Sequence, residues 1–146
     1  MNIQTSIKEW IEKRTEEEYT ELEDITISTT GEINDITPPM INIYETGQGI
    51  HEVGGVTMYG VTDFEISVEL VTVPATENDE GTPTVDDLEV RKALYNILGD
   101  RDGIEWMSER NGWRIFDIRL SSPITESNEG TRSTRFELQI VACPTN

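Results

Sequence analysis

From Val56 to about Val73 the chain reads as one unusually long extended run. Within it Phe64, Ile66, Val68 and Leu70 alternate with Asp63, Glu65, Ser67 and Glu69. Successive side chains of a strand point to opposite faces, so this period of two describes a strand half buried and half solvated. At about 3.3 Å per residue the run is longer than an ordinary strand, which predicts one arm of a hairpin projecting beyond the core.

Two further segments repeat the pattern. Phe116, Ile118 and Leu120 alternate with Asp117 and Arg119, and Phe136, Leu138, Ile140 and Ala142 alternate with Arg135, Glu137 and Gln139. Asn111-Gly112 favours a tight turn into the first of them, a polar loop is expected from Ser121 to Gly130, and the two strands are expected to pair as a hairpin. Pro38-Pro39 leads into another strand, Met40 to Tyr44, after which Gly47, Gly49, Gly54 and Gly55 read as a flexible connection. Ile25 and Ile27 alternate with threonines in a short strand.

Helical signals occur twice. Ser6 and Glu9 form a capping box ahead of Ile7, Trp10, Ile11 and Arg14, which share one helical face, and Glu16-Glu17-Glu18 reads as its solvated end. Thr84 and Asp87 cap a second helix, Val85 to Leu98, whose stripe of Val90, Leu94, Ile97 and Leu98 stops at Gly99. Between the long strand and this helix, Ala75 to Thr84 holds Glu77, Asn78, Asp79 and Glu80 without an apolar pattern and reads as an acidic loop. A chain of 146 residues suits one domain, residues 1–146, around one core.

Charge divides the chain unevenly. Its formal net charge is −18, and residues 1–90 hold all of it, with Lys8, Lys13 and Arg14 against twenty-one acidic side chains, while residues 91–146 hold eight of each sign. That balance excludes a basic nucleic-acid binder and predicts opposed surfaces able to attract copies of the same chain. Asp63, Glu65 and Glu69 on one side, and Arg114, Arg119, Arg132 and Arg135 on the other, are the candidate subunit-interface residues. No apolar run has the length of a signal sequence or a membrane span, so a soluble, cytoplasmically made protein is expected.

Catalytic signatures are sparse. The single histidine, His51, reads as an ordinary surface side chain; there is no Gly-x-Ser-x-Gly elbow, and Gly47-Gln48-Gly49 does not extend to a phosphate-binding loop. One cysteine, Cys143, permits neither an internal disulfide nor a multi-cysteine metal site. Asp100-Arg101-Asp102-Gly103 and Glu77-Asn78-Asp79-Glu80-Gly81 crowd oxygen ligands near a glycine but lack the EF-hand spacing. Trp10, Trp106 and Trp113 read as core or interface residues rather than a stacking platform. No catalytic residue, cofactor or metal is assigned.

Taken in order, the capped helix, the Pro39–Tyr44 strand, the alternating Phe64–Leu70 strand, the acidic loop, the Val85–Leu98 helix and the terminal Phe136–Val141 strand resemble the tail terminator, or tail completion, proteins of long-tailed bacteriophages. The likeness is one of layout and strand texture across residues 5–142. It implies an α+β subunit, a twisted and mainly antiparallel sheet carrying a long hairpin with two main helices packed on it. It implies a non-enzymatic virion protein, assembled in the host cytoplasm into a hexameric ring in the neck region. Such a ring ends tail polymerisation, with the tail tube protein and the head-tail connector protein as partners. DNA would pass through without specific binding, past a lumen lined by Glu77, Asp79 and Glu80 or by the Asp63, Glu65 and Glu69 face; six copies carry a formal charge of −108, six times −18. Alternatives are a tail tube or head-tail joining subunit, a monomeric acidic calcium-binding module or small enzyme, and an adaptor domain suited to high salt.

Overall fold

A computed structural model describes residues 2–29, 38–73, 87–108, 110–128 and 130–145. Strand β3, Val56–Thr72, lies at its centre with Phe64, Ile66, Val68 and Leu70 buried, as its alternation predicts. It runs antiparallel to β2, Met40–Val53, from Met40↔Val71 to Val53↔Val56, forming the expected long hairpin. On its other side it runs antiparallel to β6, Thr131–Pro144, from Thr62↔Ala142 to Thr72↔Arg132. The short β1, Thr26–Ser28, lies parallel to the start of β2. The far side of β6 carries β4, Trp113–Leu120, and β5, Ile124–Asn128. The order is β1-β2-β3-β6-β4 with β5 beside β6, a mixed sheet in an α+β fold.

Helices α1, Ile3–Glu17, α2, Asp87–Leu98, and α3, Asp102–Met107, pack on one face of this sheet. Ile3, Ile7, Trp10 and Ile11 of α1 join Val90, Ala93, Leu94 and Ile97 of α2 and Met107 of α3 over Ile41, Ile43, Ile66, Val68, Phe136, Leu138 and Ile140. Burial of each large aliphatic side chain contributes about 1.5–3 kcal/mol, so this layer dominates stability. Polar ties fix its geometry: Trp10 Nε1 donates to the Ile97 carbonyl at 3.0 Å, joining α1 to α2.

Four local expectations need correction. Helix α1 begins before Ser6, because Asn2 Oδ1 accepts the Thr5 N–H at 2.9 Å and caps the first turn. The earlier start adds Ile3 to the buried stripe, while Ser6 is buried and its Oγ accepts a hydrogen bond from Asn111 Nδ2 at 2.9 Å. Gly47 and Gly49 lie within β2; the turn is Gly54-Gly55, with φ of +58° and +82°, a region that costs glycine little. Phe116 is about half exposed rather than inward, because a bulge between Ile115 and Asp117 inserts one residue and puts Ile115 and Ile118 on the same side.

The polar segment 121–130 contains β5, which continues the sheet along the half of β6 that β4 leaves open. Asp100–Gly103 is the entry to α3: Asp100 Oδ1 accepts the Asp102 N–H at 3.0 Å, and Gly103 lies against the Trp10 indole. The Asn111-Gly112 turn is present as expected, with positive φ at both residues. The acidic loop Ala75–Thr84 and the start of the second helix lie outside the described residues.

A Cβ at Gly103 would stand 2.8 Å from Trp10 Cε2 and Nε1. Gly103→Ala is expected to cost about 1–3 kcal/mol in urea unfolding, as overpacking does; an unchanged midpoint would mean that the indole yields freely. Phe136, 1% exposed, is the largest fully buried side chain, and Phe136→Asp is expected to abolish cooperative melting. A transition near the parent temperature would contradict the register of β6.

Candidate assembly interface

Strand β3 pairs with β6 only from Thr62 onward, and β1 covers only the first three residues of β2. Residues 50–61 consequently have ladder partners only within the hairpin. They form a two-stranded arm with both backbone edges open among the described residues. From Ile50 to Val53 the arm extends about 10 Å at the usual strand rise. It carries Ile50, Val53, Val56, Met58 and Tyr59, all exposed, Tyr59 to 86%. Those five are half of the ten exposed large hydrophobic residues among the described residues. Two-stranded hairpins are marginal alone in water, and clustered apolar exposure of this kind marks a surface that meets a partner.

The arm's root is braced. A register shift between Ile50 and His51 leaves Tyr59, Gly60 and Val61 without direct partners, with Gly60 at φ +87°. His51 Nδ1 lies 2.7 Å from Asp63 Oδ1 across this shift, each side chain about one-quarter exposed. His51 is therefore a half-buried member of a pair rather than an ordinary surface side chain. Asp63, one of the sequence candidates, is engaged within its own chain.

Alternation along β3, β6 and β4 sorts the remaining candidates. Asp63, Glu65 and Glu69 of β3, Arg135 of β6, and Arg114 and Arg119 of β4 occupy positions on the sheet face away from the helices. Arg132 has the opposite parity, as the partner of Thr72. Glu69 and Arg135 are direct register partners, and Glu65 is linked through Gln139 to Arg119. Glu69 Oε2 also accepts a hydrogen bond from Ser133 Oγ at 3.1 Å, and Arg135 Nε lies 3.2 Å from Glu137. The acids and arginines expected on opposed surfaces are thus largely interleaved on one. Glu77, Asp79 and Glu80, the expected lumen residues, lie outside the described residues.

The end strand β4 forms a second distinctive surface. Its bulge turns Phe116 outward, 51% exposed, between Arg114 and Arg119, both exposed. Arg101 Nη2 donates to Asp117 Oδ1 at 3.1 Å, and Arg119 Nε lies 3.4 Å from Asp117 Oδ2. The Arg101 hydrogen bond, opposed by partial burial and aided by Arg119, holds the Asp117 carboxyl below its ordinary value. A lowered folded value stabilises the native state above the unfolded carboxylate pKa, and that contribution fades as pH falls through the folded value. Asp117→Asn is accordingly expected to cost about 0.2–1 kcal/mol at neutral pH, the range for exposed pairs. The gap from wild type should narrow on acidification; a pH-independent gap in urea titrations would show that the charge is not the cause.

The tryptophans do not form one platform. Trp10 and Trp106 stand 5.5 Å apart, centroid to centroid, whereas Trp113 meets Phe64 edge-on at 4.9 Å. Arg110 and Lys13 place their cations over the Trp106 ring, 3.8 Å and 5.9 Å from its centre. Arg14 nearby loses some solvation, but its hydrogen bond to Glu18 and the charges of Glu18, Asp100 and Glu17 raise its pKa. Among the described residues no three His, Cys, Asp or Glu side chains gather as a metal site, and no helix is long and apolar enough to cross a membrane.

The arm residues and Phe116 escape a reading by composition. Val53-Gly54-Gly55-Val56 does hold a two-glycine hairpin turn between apolar residues, the one local signal that marks the arm. Nothing local signals the exposure of Phe116. No protein-family model matches the chain, and no curated protein sequence matches it.

Proposed function

We propose that this chain is a non-enzymatic structural subunit of a long-tailed phage virion. Copies assemble head to tail into a ring, of six by family resemblance, at the head-proximal end of the tail tube, where the ring ends tube growth and meets the head connector. The observation that carries this reading is the arm. A ribbon with open edges and five exposed apolar side chains gains stability when a protein surface covers it.

Charge supports the same reading. Between Arg14 and Arg91 the sequence contains no lysine or arginine, so β2 and β3 carry carboxylates and no lysine or arginine, whereas β4 and β6 carry arginines. A head-to-tail contact between copies closes into a ring when its rotation permits. A ring this acidic would also let DNA pass with little adhesion to its wall. A tail tube or head-tail joining subunit would use an arm in the same way, and the two readings differ in where they bind a tube.

Light-scattering mass after size exclusion, alone and with tail tubes, tests the proposal, with imaging of large species. A six-fold ring, or binding confined to tube ends, is the expected result. Incorporation along tubes would favour the tube-subunit reading, and a strict monomer indifferent to tubes would overturn both. The double substitution Met58→Ser and Tyr59→Ser is expected to prevent assembly while moving the melting temperature by only a few degrees, since both side chains are exposed. Unimpaired assembly would remove the arm from the contact.

A further inference from the structure

We propose that the sheet face turned away from the helices carries a binding site for a neutral saccharide, in a depression over β2, β3 and β6. The site is independent of the assembly proposed above. Its cavity volume of about 420 Å³ lies in the range of small-molecule clefts.

The shape follows from register. Tyr44, Ser67 and Glu137 form one row across β2, β3 and β6, and the Ser121 N–H donates to the Glu137 carbonyl at 3.0 Å, which sets Ser121 at the end of that row. The rows on either side hold longer side chains, Glu65 with Gln139 and Glu69 with Arg135. Two serines between longer neighbours leave the face concave. Ser67, 2% exposed, is the most deeply placed hydroxyl of the lining.

The chemistry of the lining sets the class of ligand. Hydroxyls, an amide, a guanidinium and two carboxylates meet around one cavity, a set that matches a molecule rich in both hydrogen-bond donors and acceptors. Sugar hydroxyls donate to carboxylates and accept from guanidinium in short, charge-assisted bonds. Arg135 Nε lies 3.2 Å from Glu137 Oε1, so a donor and an acceptor stand side by side, as neighbouring ring hydroxyls require. Glu65 and Glu137 outnumber Arg135, so the lining offers an anion no net attraction. Among the described residues no three His, Cys, Asp or Glu side chains gather there for a metal.

Unspent groups point to the same site. The Ser67, Ser121 and Gln139 side chains have no hydrogen-bond partner among the described residues. Asn42 precedes Tyr44 on the same face of β2; it is 1% exposed, and neither Nδ2 nor Oδ1 is partnered. Burial of such an amide without partners is costly, and a polar ligand beside it relieves that cost. The Tyr44 ring has no aromatic partner and no cation over it among the described residues, whereas Arg14 lies over Trp10 and Tyr19, and Arg110 and Lys13 over Trp106. Tyr44 is therefore the free aromatic surface available to cover the C–H face of a sugar ring.

Saturation-transfer NMR with maltose, cellobiose and N-acetylglucosamine, followed by titration of the isotope-labelled protein, tests the site. At least one sugar is expected to receive saturation and to shift the amides around Tyr44, Ser67 and Glu137. Tyr44→Ala and Glu137→Gln are each expected to raise its dissociation constant about tenfold, the effect of losing one charge-assisted bond or a stacked ring. Circular dichroism checks the fold, and Gln139→Ala, at an exposed position, carries the same test if Tyr44→Ala unfolds the chain. Absence of transfer to all three sugars, or affinity unchanged in the folded variants, would overturn the proposal. Spermidine shifting the same amides while the sugars do not would overturn it in favour of an organic-cation site.

Discussion

From Thr62 to Val71 every residue of β3 is paired on both sides, with β2 and with β6. That double ladder is the constraint on which the remaining structure depends. Since the side-chain period is two, shifting either register by one residue would turn Phe64, Ile66, Val68 and Leu70 away from the helices and bring Glu65 and Glu69 under them. Burial of unpaired carboxylates is far costlier than any turn or cap can offset, so one register wins. With that face chosen, β6 must present Phe136, Leu138 and Ile140 to the same side, and β4 must follow β6.

β4 follows only with a bulge. Ile115 and Ile118 are three residues apart and would face opposite sides of a regular strand; the extra residue at Phe116 puts both against the core. Its consequence is an exposed aromatic ring on an end strand, flanked by arginines. The packing demand of the interior thereby places a large apolar side chain on the surface. The arm arises similarly, since β2 and β3 continue past the last rung that β6 can supply.

The helices are tied to one another and to the turn ahead of β4 by contacts between residues far apart in sequence. Ser6 meets Asn111 and Trp10 meets Ile97, so the capping and turn residues also serve as tertiary fasteners. Gly103 lets α3 approach Trp10 closely, which explains why an oxygen-rich segment that resembles a cation loop folds as a helix start. Its polar groups are engaged by the backbone of α3 and by Arg14, 3.7 Å from Asp100.

Read alone, the sequence determined the long strand β3 as one arm of a hairpin, the alternation of β3 and β6, the apolar stripe of α2 and the turn at Asn111-Gly112. Each depends on residues near one another in the chain, whose periodicity directly reflects which face is buried. It also located the acidic excess. Only tertiary structure decided that Gly47 and Gly49 continue a strand, that segment 121–130 contains β5, that Phe116 turns outward, and that Glu69 and Arg135 stand side by side. Those outcomes depend on what a distant strand offers as a partner, and backbone hydrogen bonding between strands carries no trace in local composition. Charge pattern shows how many carboxylates and arginines a segment holds, but register alone decides which of them are neighbours.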